Sequence, residues 1–158
     1  MKVRPATPAD AATIARIYSA GIEERVATFE TRPRSAADVE RWFDGVHPVV
    51  VVEDEDGVFA FASTSQYRPR ECYAGIAEFS VYVAREARGR GAGRVAMNAL
   101  IDAARAAGLW KLLSRVFVEN EASRALLRSV GFREVGIYER HAQLDGVWRD
   151  VVIVERLL

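Results

Sequence analysis

The chain predicts a mixed α/β fold: a mostly antiparallel sheet flanked by about four helices. Three observations carry this. β-Branched and aromatic runs gather in the middle and at the end of the chain, with Asp-Gly turn pairs between neighbours. Two segments of helical spacing come before the first strand cluster. One long alanine-rich helical pattern then separates two strands, which requires a parallel βαβ crossover inside an otherwise antiparallel sheet.

Lys2-Val3-Arg4 reads as a short first strand. Thr7-Pro8-Ala9-Asp10 opens a helix with an N-cap candidate, proline at the first helical position and an acid in the first turn. Ile14, Ile17, Tyr18 and Ile22 keep helical spacing after it. The stretch from Thr28 to Pro33 breaks that spacing as a loop. Ser35-x-x-Asp38 then resembles a capping box, predicting a second helix with Val39, Trp42, Phe43 and Val46 on its apolar face.

Val49 to Val52 is a continuous β-branched run, and Asp56-Gly57 predicts a hairpin into Val58–Ser65. A third central strand is read from about Tyr73 to Val83. A third helix, from about Ala92 to Ala107, has polar Arg94, Asn98, Asp102 and Arg105 on one stripe, and Gly108 stops it. Leu112–Val118 is a strand. Asn120 caps a fourth helix, with Ala122, Leu126 and Val130 expected inward and Gly131 at its end. Phe132–Gln143 and Trp148–Leu158 close the chain as strands joined at Asp145-Gly146. The order is βααβββαβαββ, and neighbouring strands that diverge at the crossover leave room for a ligand.

With 158 residues, half of them hydrophobic and 28% charged, the chain is expected to form a single domain over 1–158. A formal net charge of zero argues against general affinity for nucleic acid or an anionic membrane. Cys72 is the only cysteine, so no intrachain disulfide forms, and a cytoplasmic location is expected. No leader is expected ahead of the first strand, and no apolar stretch approaches the ~20 residues that span a bilayer. No group has metal-ligand spacing, so no metal is expected.

The most informative segment is residues 78–94. A β-branched and aromatic run, Glu78-Phe79-Ser80-Val81-Tyr82-Val83, feeds a bend with three glycines and three arginines, and helix three follows at once. Free N–H groups, a positive dipole end and little side-chain bulk suit a polyanion such as a diphosphate. A dinucleotide fingerprint needs G-x-G-x-x-G, whereas Gly89, Gly91 and Gly93 alternate here. A Walker loop needs Gly-Lys-Ser/Thr, which the chain lacks. A charged turn with no ligand is the competing structural explanation. Glu78 is the acid best placed to act on whatever the anion carries. Cys72 has no adjacent His or Lys, which argues against a covalent acyl-enzyme.

Arg88-Gly89-Arg90-Gly91-Ala92-Gly93 resembles the R-x-x-G-x-G/A acyl-CoA loop of the GNAT superfamily of N-acetyltransferases. The element order, Asn120 with Ser123, and Gly131-Phe132 are similar to that superfamily from end to end. Thr28-Phe29-Glu30, Tyr67 through Arg70 to Tyr73, Glu78-x-x-Val81-Tyr82-Val83 and Gly146-x-Trp148-x-Asp150-Val151 resemble its phosphinothricin, arsinothricin and methionine sulfone branch.

The resemblance implies strands splayed around acetyl-CoA. Val81, Tyr82 and Val83 would meet the pantetheine arm, with Val81 and Val83 pairing with it through their backbones. The amides from Arg88, Gly89, Arg90, Gly91, Ala92, Gly93 and Arg94 would hold the pyrophosphate. Asn120 and Ser123 would contact the cofactor's other side. It implies Glu78 as general base for a small amine, with direct attack in a ternary complex, and Phe29, Glu30, Arg70 and Tyr73 around the substrate. The family's tyrosine four residues before Gly131-Phe132 is Leu127 here. Solvent, Tyr138 or His141 would supply a proton to the departing thiolate, or none is needed. Acetylation of a protein N-terminus and a non-catalytic acyl-CoA-binding module are the alternatives. A homodimer is expected by analogy, with the apolar last strand, Val151 to Val154, suited to an interface.

Overall fold

The computed structural model describes all of residues 1–158. Seven strands form one sheet: β1 (Lys2–Pro5), β2 (Val49–Asp54), β3 (Gly57–Gln66), β4 (Ile76–Val83), β5 (Lys111–Phe117), β6 (Arg133–Leu144) and β7 (Val147–Leu157). Their order across the sheet is β1-β2-β3-β4-β5-β7-β6. The helices are α1 (Ala11–Glu23), α2 (Ala36–Glu40), α3 (Ala92–Ala106) and α4 (Glu121–Ser129). All strand pairs are antiparallel except β4 with β5, the pair that α3 connects. No helix is long and apolar enough to cross a membrane.

The β4–β5 pairing is short: Ile76, Ala77 and Glu78 face Lys111, Leu112 and Leu113, and the strands part beyond that. β4 stays paired with β3 as far as Val83 opposite Ala60. Its other edge is therefore unpaired from Phe79 to Val83. Alternation divides this segment between the layers. A Cβ on Gly21 of α1 would lie 2.6 Å from the Tyr82 ring, whereas Gly93 of α3 sits against Val83. Tyr82 stacks on Tyr18 at 5.1 Å and on Phe61 at 5.6 Å. On α3, Ala96, Met97, Leu100, Ile101 and Ala104 are buried while Arg94, Asn98, Asp102 and Arg105 face solvent, as the stripe predicts.

Four expectations need correction. The second helix stops at Glu40 instead of continuing to Val46. Asp44 Oδ1 accepts from the N–H groups of Val46 and His47, both at 2.8 Å, and Gly45 has φ +76°; this local turn outcompetes the helix. β4 begins at Ile76, because Glu71–Tyr73 form a 3₁₀ turn closed by Tyr73 N–H to Arg70 O. Gly75 then passes under Trp110, where a Cβ would come within 2.1 Å of the indole. On α4, Leu127 and Val130 are buried, Leu126 is half-buried and Ala122 is exposed. Finally, Val151, Val152 and Val154 are each 1% exposed, because β7 lies between β5 and β6. Along the β6–β7 hairpin the exposed large apolar groups are Val135, Ile137 and Tyr138 of edge strand β6, with Val147, Trp148 and Leu157 of β7.

The Asp145-Gly146 turn forms as predicted, with both residues at positive φ between β6 and β7. At the other end of the sheet Asp10 ties β1 to α1. Arg4 donates to both of its oxygens at 2.8 and 2.9 Å, and Thr7 N–H donates at 2.8 Å. The Arg4 hydrogen bond holds the Asp10 carboxyl below its ordinary value of 3.8, against the opposing effect of burial. The native state thus binds fewer protons than the unfolded state as pH falls, so this stabilisation is present above about pH 4 and lost below it. Asp10→Ala is expected to lower stability by about 2 kcal/mol at pH 7. Urea melts should show that deficit shrinking as pH drops below about 4.

Candidate active site

The parting of β4 from β5 opens a cleft with two connected chambers that share Ala27, Val81, Tyr82, Asn120 and Ser123. One, of about 550 Å³, lies against the arginine–glycine bend. The other, of about 370 Å³, contains Glu78.

The first chamber has the chemistry of a diphosphate cradle. The first i→i−4 bond of α3 runs from Val95 N–H to Gly91 O at 3.2 Å, so the N–H groups of Ala92, Gly93 and Arg94 are free. Gly91 caps the helix at φ +82° and Gly89 sits at φ +77°, and a Cβ on either would project into open space. Gly93 allows close approach of α4, since its Cβ would lie 2.9 Å from Leu126 Cδ2. Across the chamber, Asn120 caps α4 by accepting from Ser123 N–H at 3.2 Å and donates to Val26 O. The unpaired β4 edge at Val81 and Val83 forms the wall between, a place where an amide-bearing arm can add as a strand.

The arginines divide their work. Arg88 lines the chamber and makes a two-pronged pair with Glu24 at 2.7 and 2.8 Å. The Arg94 side chain is exposed at its rim. The Arg90 side chain turns away to Asp54 at 3.0 Å and lies over the Phe59 ring at 4.7 Å, leaving only its backbone in the bend. The bend therefore offers the chamber more uncommitted amide groups than guanidinium groups.

In the second chamber Glu78 is the last β4 residue paired with β5, and Ser65 is its partner on β3. Glu78 Oε1 accepts from Arg115 Nη2 at 3.0 Å; their side chains are 30% and 45% exposed. The other carboxylate oxygen has no partner within the chain. Phe29 packs edge-on against Phe117 at 4.9 Å, and Glu30 pairs with Arg34 at 2.7 Å. Both also line the chamber. Burial pushes the Tyr82 phenol well above its ordinary value, so it stays protonated. Leu127, 2% exposed, presents only hydrocarbon at the chamber wall.

The structure thus brings together Glu78, Phe29, Glu30, Val81, Tyr82, Val83, Asn120, Ser123 and, from the bend, Arg88, Gly89, Gly91, Ala92, Gly93 and Arg94, whereas Arg90 lines neither chamber. It does not bring Arg70 or Tyr73 to either chamber wall. Arg70 is exposed at the start of the 3₁₀ turn, and Tyr73 packs edge-on against Tyr67 at 5.7 Å. Tyr138 and His141 pack on each other at 5.0 Å, outside both walls. Cys72 is exposed and belongs to neither wall. Sequence reasoning missed Arg115, Ser65, Ser80 and Phe117. The signal for Arg115 was a single charge inside the otherwise uncharged run Leu112–Val118.

Comparison with known proteins agrees with this geometry. Residues 16–132 match the model of the Acetyltransferase (GNAT) family. The chain is 34% identical to the L-methionine sulfoximine/L-methionine sulfone acetyltransferase of Pseudomonas paraeruginosa, over 97% of this chain and 92% of that one. A phosphinothricin acetyltransferase from Sinorhizobium meliloti, solved in complex with acetyl-CoA, superposes with a TM-score of 0.91 at 31% identity, over 99% and 88% of the two chains. A structure described as ribosomal-protein-alanine N-acetyltransferase from Brucella melitensis superposes with a TM-score of 0.94 at 33% identity, over all of both. A splayed β4–β5 pair, a glycine bend opening α3 and relatives matched nearly end to end make this chain a member of the GNAT family of acetyltransferases.

Proposed function

We propose that this N-acetyltransferase acetylates the α-amino group of a small free amino acid of the phosphinothricin, arsinothricin or methionine sulfone type, with Glu78 as general base. The observation that carries the reading is Glu78 at the point where β4 leaves β5, in a chamber continuous with the cradle. Acetyl-CoA, when bound, supplies an acetyl group activated as a thioester. The free N–H groups from Ala92 to Arg94 hold its diphosphate, and the β4 edge at Val81 and Val83 aligns its amides. An N–H of that edge near Val81–Tyr82 polarises the thioester carbonyl.

Glu78 takes one proton from the ammonium, directly or across one water, and so exposes the nitrogen lone pair for direct attack. As the C–N bond forms and the C–S bond breaks, the nitrogen sheds its second proton to water or to the departing thiolate, since Leu127 offers no proton. Phe29 and Phe117 form an apolar wall that fits the aliphatic part of such an acceptor.

The names of the matched relatives support this substrate class, and the Brucella neighbour supports protein N-terminal acetylation as the second reading. A CoA-release assay with phosphinothricin, arsinothricin, methionine sulfone and a panel of peptides decides between them. Turnover of the amino-acid analogues with silent peptides is the expected result; peptide turnover alone would sink the proposal.

A further inference from the structure

Arg115 is the only lysine or arginine on the wall of the Glu78 chamber, which otherwise holds the carboxylates of Glu30 and Glu78. Glu30 is committed to Arg34. Arg115 makes a single hydrogen bond, from Nη2 to Glu78 Oε1, and its Nε and Nη1 groups donate to nothing in the chain. Both partners are solvent-accessible, and an exposed ion pair of this kind contributes little to stability. Opening it costs little.

We infer that Arg115 binds the α-carboxylate of the acceptor while Glu78 receives its α-ammonium, which restricts the substrate to amino acids with an unblocked carboxylate. This rests on the free amino-acid reading above. An α-amino acid carries its opposite charges on one carbon, and the adjacent Arg115 and Glu78 present the complementary charges in the same order. Binding exchanges one protein ion pair for two protein–substrate pairs. The planar guanidinium then has the uncommitted donors needed for a two-pronged contact with a carboxylate. A peptide N-terminus places a neutral amide carbonyl at that point and leaves the Arg115 charge without a substrate partner.

The test compares methionine sulfone with its α-carboxamide in the wild-type enzyme, Arg115→Met and Arg115→Lys. The wild type is expected to prefer the acid by about 10- to 100-fold in kcat/KM, the range for a charge-assisted contact. In Arg115→Met that preference falls to within about threefold, chiefly through a higher KM for the acid, and Arg115→Lys restores part of it. The KM for acetyl-CoA stays unchanged in both. Taking the ratio of the two preferences cancels the different basicities of the two amines.

If Arg115 merely holds Glu78, both acceptors lose kcat equally and the preference survives, which overturns the inference. Equal turnover of acid and carboxamide by the wild type also overturns it while leaving amino-acid acetylation intact. A wild type active on peptides alone removes both readings at once.

Discussion

Glu78→Gln is expected to lower kcat by about 10²- to 10³-fold at pH 7, the usual contribution of a positioned base. The substitution separates proton transfer from architecture. Glutamine has nearly the same shape, and its carbonyl oxygen can still accept the Arg115 Nη2 hydrogen bond seen at 3.0 Å. It cannot take a proton from an ammonium. The KM for acetyl-CoA should stay within about twofold, because the cradle lies in the other chamber. The variant should also recover activity as pH rises and solvent deprotonates the amine unaided, narrowing the gap to wild type. A purely structural role would leave a pH-independent deficit. Near wild-type turnover at pH 7 would remove Glu78 from the mechanism.

How far the sequence foretold the structure depends on whether the signal was local. The arginine–glycine bend, the polar stripe on α3 and the Asp145-Gly146 turn are set by neighbours within a few residues, and all three form as read. The end of α2 went unread because the competing bonds come from Asp44, past the capping box that suggested a longer helix. Ala122, expected inward, is exposed because α4 has two apolar faces. One, with Leu127, packs on the core, and the other, with Ala122 and Leu126, lines the chamber beside the arginine–glycine bend. Val151 to Val154 suited an interface only while the strand's neighbours were unknown; strand order buries Val151, Val152 and Val154.

The site divides in the same way. Most residues of the segment from Glu78 to Arg94 reach one cleft because a strand, a bend and a helix follow one another there. Arg115 reaches Glu78 from 37 residues away, and that proximity exists only through the parallel β4–β5 register. No periodicity announces such a contact. Arg70 and Tyr73 show the opposite case, since they are close to Glu78 in sequence yet the 3₁₀ turn holds them away from both chambers.

Gly91→Val is expected to raise the KM for acetyl-CoA by about 10- to 100-fold, the loss of one or two charge-assisted hydrogen bonds. Valine has two effects at this position. At φ +82° it strains the backbone, and its side chain enters the space beside the free N–H groups of the helix start. The strain alone costs about 2 kcal/mol, a few degrees in Tm for a chain of this size. Gly108 provides the matched control at the other end of α3. It has φ +84° and equally open surroundings but lines neither chamber. Gly108→Val should therefore lower Tm by a similar amount with acetyl-CoA binding intact by calorimetry, whereas Gly91→Val loses both. Equal acetyl-CoA affinities in the two variants would mean that the bend serves backbone geometry alone, and the diphosphate would have to be held elsewhere.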